Sequence, residues 1–193
     1  KIAVGPQIAN GIFSVISMAT GQYFMTQINN NLSQIELSVA SIQQYLEYDK
    51  KSKLQSEEDF LKMTQKTLPF ILENKAQQQS TITSIQKIKM NSLANIKFYR
   101  MQISDFKNIS EKKDKAEDVI ENVKNISCLI SEYWYSLYLF CFATCLEPMV
   151  AQNYSKDYLL ILMDDMKDRC DCYKDDYKTW KKKLNGYIES AKA

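Results

Sequence analysis

Met25, Ile28, Leu32, Ile35, Val39, Ile42 and Leu46 step three, four, three, four, three, four along the chain. That spacing lines the apolar side chains along one stripe of an α-helix, a stripe that must be buried against another helix. The alternation returns in Leu159, Leu162, Met166, Cys170, Tyr173, Tyr177, Trp180, Leu184 and Tyr187. Four glycines and three prolines in 193 residues are too few turn formers for a many-stranded sandwich or barrel. The fold expected is all-α.

Four amphipathic blocks follow from the pattern. The first covers about residues 7–48, entered through Gly5-Pro6, because proline suits a first helical turn. The second runs from Ser56, with Glu57, Glu58 and Asp59 in an acidic first turn, to Phe106; Pro69 should kink or split it. The third spans Asp114 to Ala151, with Pro148 near its end, and the fourth Ser155 to Ser190. Short connectors between long helices force antiparallel neighbours. The expected architecture is therefore an elongated up-down-up-down bundle of four long helices, or five with a break near Pro69. Residues 1–193 are expected to form one domain, and the opening at Lys1 without Met is what a fragment of a longer protein or a processed product is expected to show. The core set expected is Leu32, Ile35, Val39, Ile96, Ile103, Val123, Ile130, Trp134, Leu137, Leu162, Met166 and Trp180.

Charge and composition narrow the function. Without any histidine the chain has no His-based catalysis, His metal ligand or His pH switch. Arg100 and Arg169 are the only arginines among 25 basic residues, so the guanidinium fork that reads phosphate and guanine is nearly absent. Nucleic acid is not an expected partner. The Lys, Ile, Asn and Tyr bias fits translation from an AT-rich genome and hence a low-GC bacterium. Cys128, Cys141, Cys145, Cys170 and Cys172 are odd in number, with three on one apolar run, as expected of reduced core thiols in a bacterial cytoplasm. A membrane-peripheral or secreted location is the alternative. No 18 consecutive residues are all apolar, so no membrane span is read from the sequence.

The candidate chemistry is sparse. Cys141, Cys145, Cys170 and Cys172 have the atom types of a zinc site, but Cys-x-Cys on a continuous helix points its thiols apart. A hairpin centred near residue 153 places Cys141 opposite residue 165, about 7 Å along the axis from Cys170. No metal site and no cofactor are expected. Glu57-Glu58, Asp164-Asp165 and Asp175-Asp176 read as solvated helix faces. The aromatic run from Tyr133 to Phe142 reads as core, because a helix apolar all round is buried centrally. Asn31, Asn108, Asn125 and Asn153 each open a chance Asn-x-Ser match. Nothing indicates an enzyme.

One segment stands apart. No charged residue occurs between Lys1 and Glu36. Gly11, Ser14, Ser17 and Gly21 give it a small, weakly polar face of the kind that packs closely against other helices, in lipid or in protein. Ile8, Ile12, Phe13, Val15, Ile16 and Met18 are its candidate membrane contacts, with Lys181, Lys182 and Lys183 as partners for anionic headgroups. Long helices with one uncharged segment are similar in architecture to bacterial helical-bundle pore-forming toxins. The resemblance is one of shape and implies an inserting element within residues 8–25. The leading expectation is a non-catalytic interaction or assembly domain that uses the Met25–Leu46 seam on a helical partner or a second copy. The alternative is a membrane-associating domain.

Overall fold

The structure, a computed structural model, describes residues 48–105 and 116–190. Those residues form four helices: α1 (Tyr48–Glu73), α2 (Lys75–Asp105), α3 (Ala116–Ala151) and α4 (Lys156–Ser190). There is no strand among the described residues, and a fifth helix is not supported. The Met25–Leu46 seam, the uncharged segment and the 107–113 connector lie outside the described residues.

The second block is two helices, and its break is not at Pro69. That proline sits inside α1, which continues to Glu73. The interruption falls at Asn74, whose side-chain Oδ1 accepts from the N–H groups of Ala76 and Gln77, both at 3.1 Å. The Asn74 N–H in turn donates to the Ile71 carbonyl at 3.2 Å. One residue thus ends α1 and caps α2. Proline removes a single internal N–H, whereas asparagine offers a competing acceptor to the next helix's unpaired donors, so the cap decides where the chain turns.

The connection between α3 and α4 is equally explicit. Gln152 has φ of 52°, its N–H donates to the Met149 carbonyl at 3.3 Å, and the Asn153 N–H donates to the Pro148 carbonyl at 3.0 Å. This is the left-handed Schellman stop, normally occupied by glycine. Asn153 Oδ1 accepts from the Ser155 N–H at 3.3 Å, and α4 starts with Asp157 in its first turn. The block boundaries expected near Ala151 and Ser155 match these ends.

α3 is the central element and contacts each of the other three helices. Every residue from Ile130 to Val150 is buried. α1 lays Leu54, Leu61, Leu68 and Ile71 on it; α2 contributes Ile85, Ile88, Ile96, Tyr99 and Ile103; α4 contributes Met166, Cys170, Tyr173 and Trp180. Burial of each large side chain is worth about 1.5–3 kcal/mol, so this packing, more than helix propensity, holds the elements together. Of the expected core set, Ile96, Ile103, Ile130, Trp134, Leu137, Met166 and Trp180 are buried, and Val123 and Leu162 are half-buried. Leu32, Ile35 and Val39 lie outside the described residues.

Candidate functional site

The groups able to do chemistry fall into three sets: buried carboxylates, buried sulfurs and exposed apolar residues. Glu58, Glu132 and Glu147 are buried even though two of them interrupt the most apolar helix. Each meets a cation or a hydroxyl. Glu147 accepts from Lys89 Nζ at 2.5 Å and from Gln86 Nε2 at 3.0 Å, both on α2. Glu58 on α1 accepts from the phenols of Tyr135 and Tyr138 on α3 and pairs with Lys62 Nζ at 2.9 Å. Glu132 meets Lys50 Nζ at 3.4 Å and the Cys128 thiol at 3.7 Å. A buried carboxylate without such partners would be strongly unfavourable, and each of the three has at least one partner from another helix. The three acids therefore align α1 and α2 on α3.

Glu58 corrects the expectation that the paired carboxylates all lie on solvated faces. Its neighbour Glu57 accepts from Asn91 Nδ2 at 3.0 Å. The other pairs are engaged on the surface: Asp165 with Arg169, Asp175 with Lys178, and Asp176 with both Nε and Nη2 of Arg100. That last fork joins α2 to α4. The aromatic run is core, as expected. Tyr133 lies edge-on to Tyr173 with centroids 4.9 Å apart and to Trp180 at 5.6 Å, while Arg169 sits 4.8 Å from the Phe140 ring centre.

The sulfurs correct the expected register. Cys141 does not face residue 165: the Cys145–Met166 contact sets the register of α4 on α3 and places Cys141 opposite Cys170. One turn towards the connection, the Cys145 thiol lies 3.9 Å from the Met166 sulfur. The Schellman stop at Gln152 shifts the hairpin relative to one centred on residue 153. All five cysteines are free. The hydrogen bond to Cys170, followed by burial, raises the Cys141 thiol well above its ordinary value, and burial pushes Cys145 up to about 12. Burial likewise keeps the Tyr133 and Tyr173 phenols protonated far into the alkaline range. Among the described residues no group of three or more Cys, Asp or Glu side chains could hold a metal ion.

The exposed apolar residues cluster in part at one end. The Gln78 amide donates to the Val150 carbonyl at 2.6 Å and ties the α1–α2 turn to the α3–α4 turn. Around these two turns Phe70, Tyr154, Leu160 and Ile161 face solvent, with Phe70 and Ile161 about two-thirds exposed at 67% and 66%. Met63, Met90 and Met101 are also exposed, on the sides of α1 and α2 away from their buried stripes. Lys181, Lys182 and Lys183 are exposed near the far end of α4. The seam residues Met25 to Leu46 and the segment residues Ile8, Ile12, Phe13, Val15, Ile16 and Met18 are outside the described residues, so the structure brings none of them together.

No protein family, curated protein or solved structure matches this chain.

Proposed function

We propose that the chain is a non-catalytic helical-bundle interaction domain that acts through apolar surface rather than through a reactive site. One observation carries this reading. The buried carboxylates Glu58, Glu132 and Glu147 are engaged by partners from other helices, while the large apolar side chains Phe70, Tyr154, Leu160 and Ile161 stay in water at the turn end. Exposed apolar side chains gathered at one end of a bundle are the kind of surface that meets a partner. The three-four apolar pattern from Met25 to Leu46 supplies a second candidate contact stripe on its sequence alone. Its occupant would be a helical partner or a second copy, meeting it by helix-on-helix burial.

In this reading residues 1–193 act as one unit, and the described helices run up, down, up and down as antiparallel neighbours. Pairings support that order. Asn91 and Glu57 are equally far from Asn74. Cys145 meets Met166 near the α3–α4 turn, and Asn122 meets the Tyr187 phenol far from it. Five free thiols suit a reducing compartment such as a bacterial cytoplasm.

A second reading, membrane association, is favoured by α3. Residues Ile120–Ala151 are long and apolar enough to cross a membrane, although most of that stretch is buried within the bundle. Core helices of water-soluble bundles meet the same criterion, so this reading ranks second. Sedimentation velocity across a concentration series, together with flotation on anionic and neutral vesicles, separates the two. Association that grows with concentration and ignores lipid supports the interaction domain. A monomer that floats overturns it. If lipid is the target, Val15→Lys or Met18→Lys abolishes flotation; if protein is, the same change alters assembly with or without vesicles.

A further inference from the structure

We propose that Cys141 and Cys170 form an oxidisable dithiol, a modification site whose disulfide latches α3 to α4. The two thiols are buried and free, and the Cys145–Met166 contact one turn away sets the register that places them opposite each other on different helices. The pairing is held from both sides along the helix axes. Towards the connection Cys145 packs on Met166; away from it Tyr133 and Trp134 pack on Tyr173. A bridge between two helices needs its thiols at the same level on backbones held together, which this register supplies, and closes at an S–S bond length of about 2.05 Å.

The other thiols are poorer candidates. Cys141 and Cys145 lie one turn apart on the same helix, where a bridge would constrain nothing between helices. Cys128 and Cys172 are half-buried and turned towards the carboxylates of Glu132 and Asp176. The 141–170 bridge joins two elements between positions that the helix register sets opposite each other.

The oxidant is a peroxide. One sulfur attacks a peroxide oxygen, the O–O bond breaks, and the departing oxygen takes the thiol proton and leaves as water. The resulting sulfenic acid is attacked by the second sulfur; the S–O bond breaks, the S–S bond forms, and the remaining oxygen leaves as a second water. Two thiols and one hydrogen peroxide thus give one disulfide and two waters, with two electrons passing from sulfur to oxygen. Burial and the mutual hydrogen bond hold Cys141 as a thiol at neutral pH, so the latch closes slowly and responds to sustained rather than passing oxidant. A thiol reductant reopens it by exchange.

The test uses the full folded chain in hydrogen peroxide. Catalase then stops the reaction, free thiols are alkylated in denaturant, and peptides are mapped by mass spectrometry. The expected product is a Cys141–Cys170 cross-linked peptide lacking two hydrogens, with a thermal midpoint raised by about 5 °C or more and restored by dithiothreitol. Cys170→Ser and Cys141→Ser should each abolish both effects while keeping the wild-type helical signal. Recovery of Cys141 and Cys170 alkylated, or oxidised singly to sulfinic acid, after Cys128 and Cys172 have reacted overturns the proposal. So does a bridge that leaves out either residue. Should a serine variant not fold, the wild-type peptide map alone decides.

Discussion

Lys89 on α2 places its ammonium 2.5 Å from the Glu147 carboxylate, three residues before the last buried position of α3. The two side chains are only 19% and 10% exposed. Such a pair contributes little over an apolar contact of the same shape, but breaking it leaves a charge without its counterion. Lys89→Met should therefore destabilise the bundle by about 2–3 kcal/mol, somewhat below the 3–5 typical of fully buried pairs. Adding Glu147→Gln, which keeps an acceptor for Gln86, should recover much of that loss. Urea midpoints of the two single variants and the double variant check this; strict additivity would refute the coupling.

The α3–α4 turn gives a prediction of opposite sign. Gln152 holds a left-handed φ of 52° that disfavours any side chain with a Cβ. Glycine adopts it freely, so Gln152→Gly should stabilise the protein by about 0.5–1 kcal/mol. Asn74→Ala, by contrast, should cost about 1 kcal/mol through loss of the cap on α2. Thermal unfolding of both variants should move in opposite directions from the parent. A loss of stability in Gln152→Gly would mean that the turn is fixed by something other than its backbone.

How far the sequence foretold this arrangement depended on whether a signal was local or made at a distance. The three-four alternation from Leu159 to Tyr187 places Met166, Cys170, Tyr173 and Trp180 in the core, since helical period and burial are the same property. The ends of α3 and α4 were legible for a similar reason. The α1–α2 break falls at Asn74 and not near Pro69, because a helix tolerates one missing N–H while an asparagine before a new polar helix start is itself a capping signal. Glu58, Glu132 and Glu147 gave no local sign of burial. Their partners Tyr135, Lys50 and Lys89 are tens of residues away, and only the tertiary structure supplies them. The Cys141–Cys170 contact was missed because a few residues of turn geometry shift a helical hairpin by a whole turn.

The buried thiols set a pH limit. In the unfolded chain a cysteine ionises near pH 9.0, whereas burial holds Cys145 up to about 12. Above pH 9 the unfolded state therefore binds fewer protons than the folded one, and stability falls as pH rises. The stabilisation is complete below pH 9 and is lost on passing through the folded value, at a slope of about 1.4 kcal/mol per pH unit for each such thiol. Near pH 9, where the tyrosines of the unfolded chain are still mostly protonated, Cys141 and Cys145 should lead the decline, and towards pH 10 Tyr133 and Tyr173, also raised by burial, should add to it. Urea midpoints of the parent and of Cys145→Ala over this range check the assignment. The variant should be less stable at pH 7 but show a shallower decline; equal slopes would remove Cys145 from the account.

The turn-end cluster offers a test that separates fold from function. Phe70 and Ile161 are 67% and 66% exposed, so they contribute little to the core, and the double change Phe70→Ser with Ile161→Ser should alter stability by no more than about 0.5 kcal/mol. If these residues form a contact surface, the same variant should lose concentration-dependent association while its urea midpoint stays put. Met90→Ser, at an exposed but isolated position on α2, serves as the control and should change neither property. Sedimentation velocity and urea unfolding on the three proteins give the answer. Unchanged association with unchanged stability would exclude the turn end as the working surface and direct attention to the Met25–Leu46 seam. A large drop in stability would show instead that the cluster is part of the fold.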